Sequence, residues 1–275
     1  MPMLLYDVTL RGVSMTSLSD DIIVRDIVEM PPKEDRVTFE RAMHAGTRVT
    51  SIVRRTLPIK IIFNVRAYDG AKRAEIMDKI AGWVGTGGKL TINTRPGKRL
   101  FVRPADMPRL DSSLKWTEDL SLTLTAYEQP YWEDSSETIA SGGMKTSVWS
   151  ESHQEFFVAD VLSVPGNVEK VPVCVAFYNV GEEPLTHIKL VSNDTFFELE
   201  NLSVEPGMYS GYVFIEYDEH DLLMIHDVMS DVSLMANRTA ESSDDLFVRC
   251  GRDNQLYAYS DQPVKIQFST RGRWL

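Results

Sequence analysis

The glycine-rich stretch Gly85-Thr86-Gly87-Gly88-Lys89 has the residue types of a phosphate-binding loop. Such a loop follows a strand and precedes a helix, because the amides at the helix N-terminus must point at the phosphate. Here the order is reversed, since apolar residues recur at helical spacing within residues 69–84, before the glycines. We therefore predict that Asp69 caps a helix and that the glycines end it, and we expect no nucleotide or other cofactor.

Carboxylates and histidines cluster in YDEHDLLMIHD, residues 217–227. Both groups are common metal ligands. His220 and His226 are, however, six residues apart, which on one strand separates them by about 20 Å. The HxH, HExxH and EF-hand spacings are also missing. We therefore interpret residues 218–221 as the polar tip of a hairpin and expect no metal.

No arrangement for nucleophilic catalysis is evident in the sequence. There is no GxSxG motif, and Cys174 and Cys250 each lie in an apolar, strand-like run. We predict that both cysteines are buried free thiols, while a disulfide between neighbouring strands is the alternative. His44, His153 and His187 lie in unrelated contexts. The protein is therefore predicted not to be an enzyme, with no catalytic residues.

The composition is that of a globular protein with room for two domains. The chain has 275 residues, of which 43% are hydrophobic. No run approaches the roughly 18 apolar residues of a membrane helix, and the N-terminal residues lack the pattern of a secretory signal. We therefore expect no membrane insertion, and assembly in a cytoplasm.

Charge is divided unevenly along the chain. Residues 1–130 hold 20 basic and 16 acidic residues, whereas the remainder holds 9 and 24, so the net charge of −11 arises in the second half. Two halves with different electrostatics suggest two domains in different surroundings. Neither half is basic enough to indicate specific binding of nucleic acid.

The first half is predicted to be an α+β domain, residues 1–132. Residues 4–10, 57–67 and 119–127 alternate apolar and polar side chains, as half-buried strands do. Arg95-Pro96-Gly97-Lys98 places Pro and Gly at the centre of a type II turn, which predicts a hairpin. With the single helix packed on them, these strands would form a sheet or split barrel.

The second half is predicted to be an all-β sandwich. Residues 133–148 are rich in serine, glycine and acidic residues, and we interpret them as a linker. Residues 149–275 contain short alternating runs separated by turn residues, without a convincing amphipathic helix. Regular short strands of this kind are typical of a sandwich.

The polar segment 31–55 combines arginines with aromatic and methionine residues, a composition favoured at protein interfaces. We predict that it is a long loop that contacts other subunits. The alternative is a solvated excursion of the same sheet. The residues that we expect to make subunit or tube contacts are Phe39, Met43, Arg48, Arg54 and Arg55.

Aromatic residues of the C-terminal half form a second candidate surface. A tyrosine ring can stack on a sugar while its hydroxyl group stays in water. We select Tyr212, Tyr257 and Tyr259 as candidates for glycan stacking. The alternative is that about half of the aromatic side chains in these strands face the core.

Taken in order, several segments resemble the distal tail protein (Dit) family of long-tailed, siphophage-type bacteriophages, in the short form without inserted carbohydrate-binding modules. The resemblance is carried by the first strand LLYDVTLRGV, the helix end IAGWVGTGGKL, the hairpin KLTINTRPGKRLFVRP and the domain closure YEQPYW. It extends through GTRVTSIVRRTLPIKIIFNV, SVPGNVEKVPVCVAF and the ending STRGRWL. It therefore spans the chain.

The resemblance implies a structural role in a virion. Members of the family form a homo-hexameric ring at the tail tip, with N-terminal domains around a DNA-permissive channel and galectin-like sandwiches outside. The ring meets the tail tube protein on one side and the tail-associated hub protein on the other, and receptor-binding proteins can attach at its periphery. The alternative function is a carbohydrate-binding protein or adhesin that acts through the galectin-like domain.

Overall fold

The computed structural model describes residues 6–40, 47–107, 119–193, 195–207, 211–218 and 221–275, with side chains left undescribed at 38–40 and 47–52. The chain divides into two compact units. Unit 1 comprises Met1–Glu133 with Leu275, and unit 2 comprises Asp134–Trp274. The described residues are mostly β-strand, with a single α-helix. None of the described helices has the length and hydropathy that crossing a membrane requires.

Unit 1 is an antiparallel sheet with one helix. The helix α1 spans Gly70–Val84, and a short 3-10 helix spans Met15–Leu18. The strands are β1 Val8–Leu10, β2 Val13–Ser14, β3 Ile22–Glu29, β4 Lys33–Glu40, β5 Thr47–Val65, β6 Gly88–Ile92, β7 Lys98–Asp106 and β8 Leu120–Ala126. The strand order is β2-β1-β6-β7-β8-β5-β3, and β4 pairs with β5.

The core of unit 1 follows the alternation in the sequence. In β5, Ile59, Ile61 and Phe63 are fully buried, whereas the side chain of Lys60 between them is partly exposed. The apolar stripe of α1 is buried in turn, comprising Ile76, Met77, Ile80, Trp83 and Val84. The predicted inward faces of the strand and the helix are therefore confirmed.

The glycines after α1 end the helix, as predicted. Asp69 is the N-cap and accepts a hydrogen bond from the Ala71 amide at 3.1 Å. At the other end, the Gly85 amide donates to the Ala81 carbonyl, and Arg11 donates from Nη2 to the Trp83 carbonyl at 2.6 Å. A guanidinium group at a helix C-terminus complements the negative end of the helix dipole. The stretch therefore serves helix termination.

The predicted turn between β6 and β7 is also present. The Lys98 amide donates to the Arg95 carbonyl at 3.2 Å, and Gly97 has a φ of 74°. A type II turn requires a positive φ at this position, which glycine adopts without steric cost.

The stretch 133–148, predicted as a linker, is attached to unit 2. Its strands are β9 Trp132–Asp134, β10 Thr138–Ile139 and β11 Lys145–Thr146, and both β10 and β11 pair with a later strand, Val264–Thr270. Asp160 is buried and receives hydrogen bonds from Ser141 at 3.0 Å and Lys145 at 2.7 Å. The polar residues of this stretch therefore satisfy a buried carboxylate, which a free linker does not do.

Unit 2 is built around two larger antiparallel sheets, and Val171–Pro172 pairs with Phe247–Val248 in a separate two-stranded sheet. Its further strands are β12 Val148–Ser150, β13 Glu155–Ser163, β14 Val171–Pro172, β15 Cys174–Asn179, β16 Ile188–Ser192, β17 Thr195–Leu199, β18 Tyr212–Tyr217, β19 Leu223–Asp227, β20 Val232–Ser233, β21 Phe247–Val248, β22 Asp253–Ser260, β23 Val264–Thr270 and β24 Arg273–Trp274. One sheet has the order β10-β23-β15-β18-β19-β20, and the other has the order β12-β13-β22-β16-β17. A short 3-10 helix spans Met235–Asn237.

The inward faces of these sheets form one apolar core, so the predicted β-sandwich is confirmed. Phe177, Phe197 and Phe268 are each at most 1% exposed. Cys174 and Cys250 are free and partly buried. Burial raises the pKa of the Cys174 thiol to about 11, and it also raises the pKa of the Cys250 thiol. The prediction of free thiols is therefore confirmed.

Candidate functional site

The first candidate surface is a two-stranded arm, which we define as residues 33–40 of β4 and 47–56 of β5. From Leu57 onward, β5 pairs with β8 and, from Ile59, with β3 inside the sheet, whereas residues 47–56 pair with β4. Register shifts between Lys33 and Glu34 and between Val37 and Thr38 interrupt the pairing within the arm. The same strand thus belongs to the core at one end and to the arm at the other.

The prediction of a long loop is wrong for the described part of this segment, which forms a β-hairpin. The stretch TRVTSIV is rich in β-branched residues, which favour strands. Their backbone groups pair across the hairpin and so satisfy their hydrogen-bonding capacity without a loop.

Ion pairs link the two strands of the arm. Arg54 Nε lies 3.4 Å from Glu34 Oε1, and Arg55 donates from Nε to Asp35 Oδ2 at 2.7 Å. These pairs are at least partly exposed, so each contributes about 0–1 kcal/mol to stability. Val37 and Val53 are also exposed, at 56% and 43%. The arm therefore presents apolar side chains together with basic and acidic groups.

The five predicted interface residues are described to different extents. Arg54 and Arg55 lie in the arm with side chains that are accessible to solvent. Phe39 and Arg48 occupy paired positions on β4 and β5, but their side chains are outside the described part. Met43 lies outside the described residues. Whether these residues contact another subunit or the tube stays a prediction.

The second candidate surface lies on the sheet that contains β13 and β22, and we call it the aromatic face. Tyr257 and Tyr259 alternate with the buried residues Leu256 and Ala258, so both rings point away from the core. Phe157 pairs with Tyr259 in register, and the two ring centroids are 5.1 Å apart. These two of the three predicted stacking residues therefore lie together on one outward surface.

The His153 ring extends the aromatic face. His153 lies 5.3 Å from Tyr259 and 5.8 Å from Phe157 between ring centroids. Trp149, 55% exposed, packs edge-on against Phe156 at 5.3 Å, but this pair alternates to the other side of the sheet from Phe157 and does not belong to the aromatic face. Partial burial raises the pKa of the Tyr259 phenol, and the neighbouring Tyr257 raises it further. Both effects favour the neutral phenol, which is also the form of an ordinary tyrosine at neutral pH.

Tyr212 does not belong to this surface. It lies on β18, in the other sheet, where its ring is 5.6 Å from that of Tyr178 and 4.9 Å from that of Phe214. The sequence predicts glycan stacking by all three tyrosines, but the structure places Tyr212 in a separate aromatic cluster. Strand alternation sets which side of its own sheet a residue faces, and sheet membership depends on long-range pairing.

No known family profile matches the sequence, and no curated protein matches it. The structure, in contrast, is similar to the Dit protein of phage SPP1, with a TM-score of 0.66 and 11% identity over 97% of this chain and 98% of that chain. That protein is described as a paradigm of the hub adsorption apparatus in phages that infect Gram-positive bacteria.

This chain has a Dit-like fold. The structure is also similar to a chain of the phage P2 baseplate in its activated conformation with calcium, with a TM-score of 0.52 and 9% identity over 97% of both chains. The same similarity is found for that baseplate with strontium. The resemblance stated from the sequence is thereby confirmed for the fold.

In the Dit-like chain, the acidic stretch 217–227 includes Tyr217, the last residue of β18, and the whole of β19, Leu223–Asp227. The Asp218 amide donates to the Leu222 carbonyl, and the Leu222 amide donates to Asp218 Oδ1. Since β18 pairs with β19 beside these bonds, the predicted hairpin is present. Arg273, whose side chain is 7% exposed, forms an ion pair with Asp221. Its Nη1 donates to Asp221 Oδ2 at 2.7 Å. Glu219 and His220 lie outside the described residues.

Sequence reasoning missed Phe157 and His153 as parts of the aromatic face of the Dit-like chain. The alternation of EFFVADV predicts that Phe157 faces outward, opposite to the buried Val158. Its position beside Tyr259, however, follows from the register of β13 with β22, which are about a hundred residues apart in the chain. No local pattern contains that information.

Proposed function

We propose that this protein is a structural component of a long-tailed phage tail tip. It forms a homo-hexameric ring that joins the tail tube protein to the tail-associated hub protein and anchors receptor-binding proteins at its periphery. The observation that carries the proposal is the similarity to the SPP1 Dit protein over 97% of this chain, because it includes both units and not one common domain. The proposed location is the virion, after assembly in the host cytoplasm.

In this proposal the two units have separate tasks. In the ring, the six copies of unit 1 surround a channel through which DNA passes without specific binding. Each copy of unit 2 projects outward as a galectin-like sandwich. The near-neutral charge of the first half supports a channel without tight DNA affinity, since such affinity comes mainly from clusters of basic residues that neutralise phosphates. The function needs no catalytic group, metal or cofactor.

A closed ring needs two different, complementary patches on every subunit. The arm supports this requirement, because it leaves the sheet at Leu57 and carries the exposed Val37 and Val53 beside Arg54 and Arg55. Apolar residues combined with arginine are favoured at interfaces. We assign one of the two patches to the arm.

The full chain is expected to be a hexamer in solution. We expect light scattering to give six times the chain mass of 31.2 kDa, and negative-stain images of the same peak to show rings. Because assembly follows mass action, the measurement should cover about a hundredfold range of protein concentration. A monomer over the whole range, together with an absence of rings among cross-linked particles, would contradict a self-closing ring.

The aromatic face supports a second candidate function, the binding of carbohydrate by unit 2. Tyr257, Tyr259 and Phe157 form an outward surface of rings, and such rings can stack on sugars. We expect the full chain to bind cell-wall glycans on an array. Tyr259→Ala should reduce this binding about tenfold or more, since an aromatic contact contributes about 1 kcal/mol beyond its buried area.

Tyr212→Ala is the matched control for this second prediction, because Tyr212 lies on the other sheet of the same unit. It should leave glycan binding unchanged. Equal losses for Tyr212→Ala and Tyr259→Ala, or no glycan binding by the unaltered chain, would exclude the aromatic face as a sugar site. Neither result would affect the ring.

A further inference from the structure

A group of polar side chains lies at the open end of the hairpin formed by β16 and β17. Ile188 pairs with Leu199, and both are fully buried. The residues next to this pair, His187 and Glu200, therefore fall opposite each other and face outward, as do Lys189 and Glu198 on its other side. Cross-strand neighbours of this kind have Cβ atoms about 5 Å apart.

The side chains of three of these residues converge. His187 Nε2 lies 2.9 Å from Glu198 Oε1, and one ligand atom from each of His187, Glu198 and Glu200 lies within 4.8 Å of the other two. Tetrahedral zinc with bonds of about 2.1 Å needs ligand atoms about 3.4 Å apart. Side-chain rotations that move these ligand atoms by about 1 Å would therefore give bonding distances without movement of the backbone.

The backbone at all three positions is held from outside the hairpin. The His187 amide donates to Asp261 Oδ1 at 3.2 Å, the Glu198 amide donates to Ser242 Oγ at 2.9 Å, and the Glu200 amide donates to the Asn237 carbonyl at 2.8 Å. With the backbone fixed in this way, binding an ion costs only the side-chain entropy of the three ligands. The backbone of the group is therefore preorganised.

The charges of the group favour a divalent cation. Two carboxylates face one imidazole, and Lys189 Nζ is 4.0 Å from Glu198 Oε1. The same ammonium group lies 4.7 Å from the ring centroid of Phe196, whose attraction gives it a second partner when a metal ion binds Glu198. One imidazole nitrogen with two carboxylate oxygens suits zinc better than calcium or magnesium, which prefer ligand sets made only of oxygen.

We propose that His187, Glu198 and Glu200 bind a divalent transition-metal ion of the zinc class, with water in the remaining position. The ion ties β17, the last strand of its sheet, to β16 at the end where the hairpin opens. The site lies on the same outward side of the sheet as Tyr259, which pairs with Lys189. The proposal does not depend on ring formation or on glycan binding.

The test is calorimetric titration of the untagged, EDTA-treated full chain with zinc chloride. We expect saturable binding of one ion per chain, and a higher Tm for the metal-loaded protein because the ion binds only the folded state. His187→Gln and Glu198→Gln should each weaken binding by more than about tenfold. Cobalt bound in place of zinc should show the visible absorption bands of a site with nitrogen and oxygen ligands, and His187→Gln should change these bands.

His226→Gln is the matched control. His226 also lies near a carboxylate, with Nε2 3.9 Å from Glu216 Oε1, but on the other sheet. The His226→Gln variant should bind zinc with the same affinity as the unaltered chain. The proposal is overturned if the unaltered chain shows no saturable binding, or if His187→Gln and His226→Gln behave alike while circular dichroism shows that both are folded. In either case His187 and Glu198 form only a hydrogen-bonded pair.

Discussion

Gly87→Ala is expected to lower the free energy of unfolding of unit 1 by about 3 kcal/mol or more. Gly87 has a φ of 89°, and a Cβ atom there would lie 2.0 Å from the Val102 carbonyl oxygen and 2.8 Å from Arg103 Cα. Both contacts are with backbone, so they cannot be relieved by a side-chain rotation. Scanning calorimetry of the full chain should show a Tm lower by roughly 10 °C for this unit.

Gly97→Ala is the control, because it has the same kind of backbone conformation without the contacts. Gly97 has a φ of 74°, and nothing lies within 4 Å of a Cβ atom built there. Its cost should be about 1 kcal/mol, the conformational part alone. Equal losses for the two variants would contradict the close approach of Gly87 to β7. The stretch that looks like a phosphate-binding loop would then lack its structural explanation.

Reversing the charge of the arm with Arg54→Glu and Arg55→Glu is expected to abolish assembly under conditions in which the unaltered chain forms rings. Reversal places like charges together at an interface, which costs several kcal/mol and shifts a subunit dissociation constant by more than about a hundredfold. Light scattering should therefore report a monomer. The Tm should change little, because exposed ion pairs contribute about 0–1 kcal/mol each.

A charge-swapped variant separates contacts within the arm from contacts between subunits. Arg54 and Arg55 pair with Glu34 and Asp35, so Glu34→Arg and Asp35→Arg added to the two reversals restore opposite charges inside the hairpin. We expect this fourfold variant to remain monomeric, since the surface offered to a partner is still altered. Recovery of rings would show that the arginines act only within the arm, and unchanged assembly of the double variant would exclude them from the interface.

The similarity to the SPP1 Dit protein at 11% identity has a physical basis. A strand retains its position when its inward residues stay apolar and its outward residues stay polar, and many sequences meet that condition. In β5, for example, other apolar residues of similar total volume at Ile59, Ile61 and Phe63 could fill the same core. The fold is therefore retained where a comparison of sequences finds no match.

The sequence by itself determined the features that depend on neighbours within a few residues. The helical spacing from Ile76 to Val84, the Asp69 cap, the glycines after the helix and the Pro96-Gly97 turn all follow from backbone sterics and local hydrogen bonds. Alternation also places Tyr257 and Tyr259 on the same side of one strand, although the sequence left open whether that side faces the core. Each of these signals is complete within one short window of the chain.

Only the tertiary structure decided which strands pair, and with them the composition of every candidate surface. The segment predicted as a loop forms the arm, and residues 138–146 contain strands that pair with β23. Tyr212 lies on a different sheet from Tyr259. The tertiary structure also placed Phe157 beside Tyr259, and the turn and register of one hairpin brought His187 to Glu198 and Glu200. Pairing between distant strands is chosen by the packing of the whole core, so no local window of sequence contains it, whereas the register of the β16–β17 hairpin also depends on its own turn.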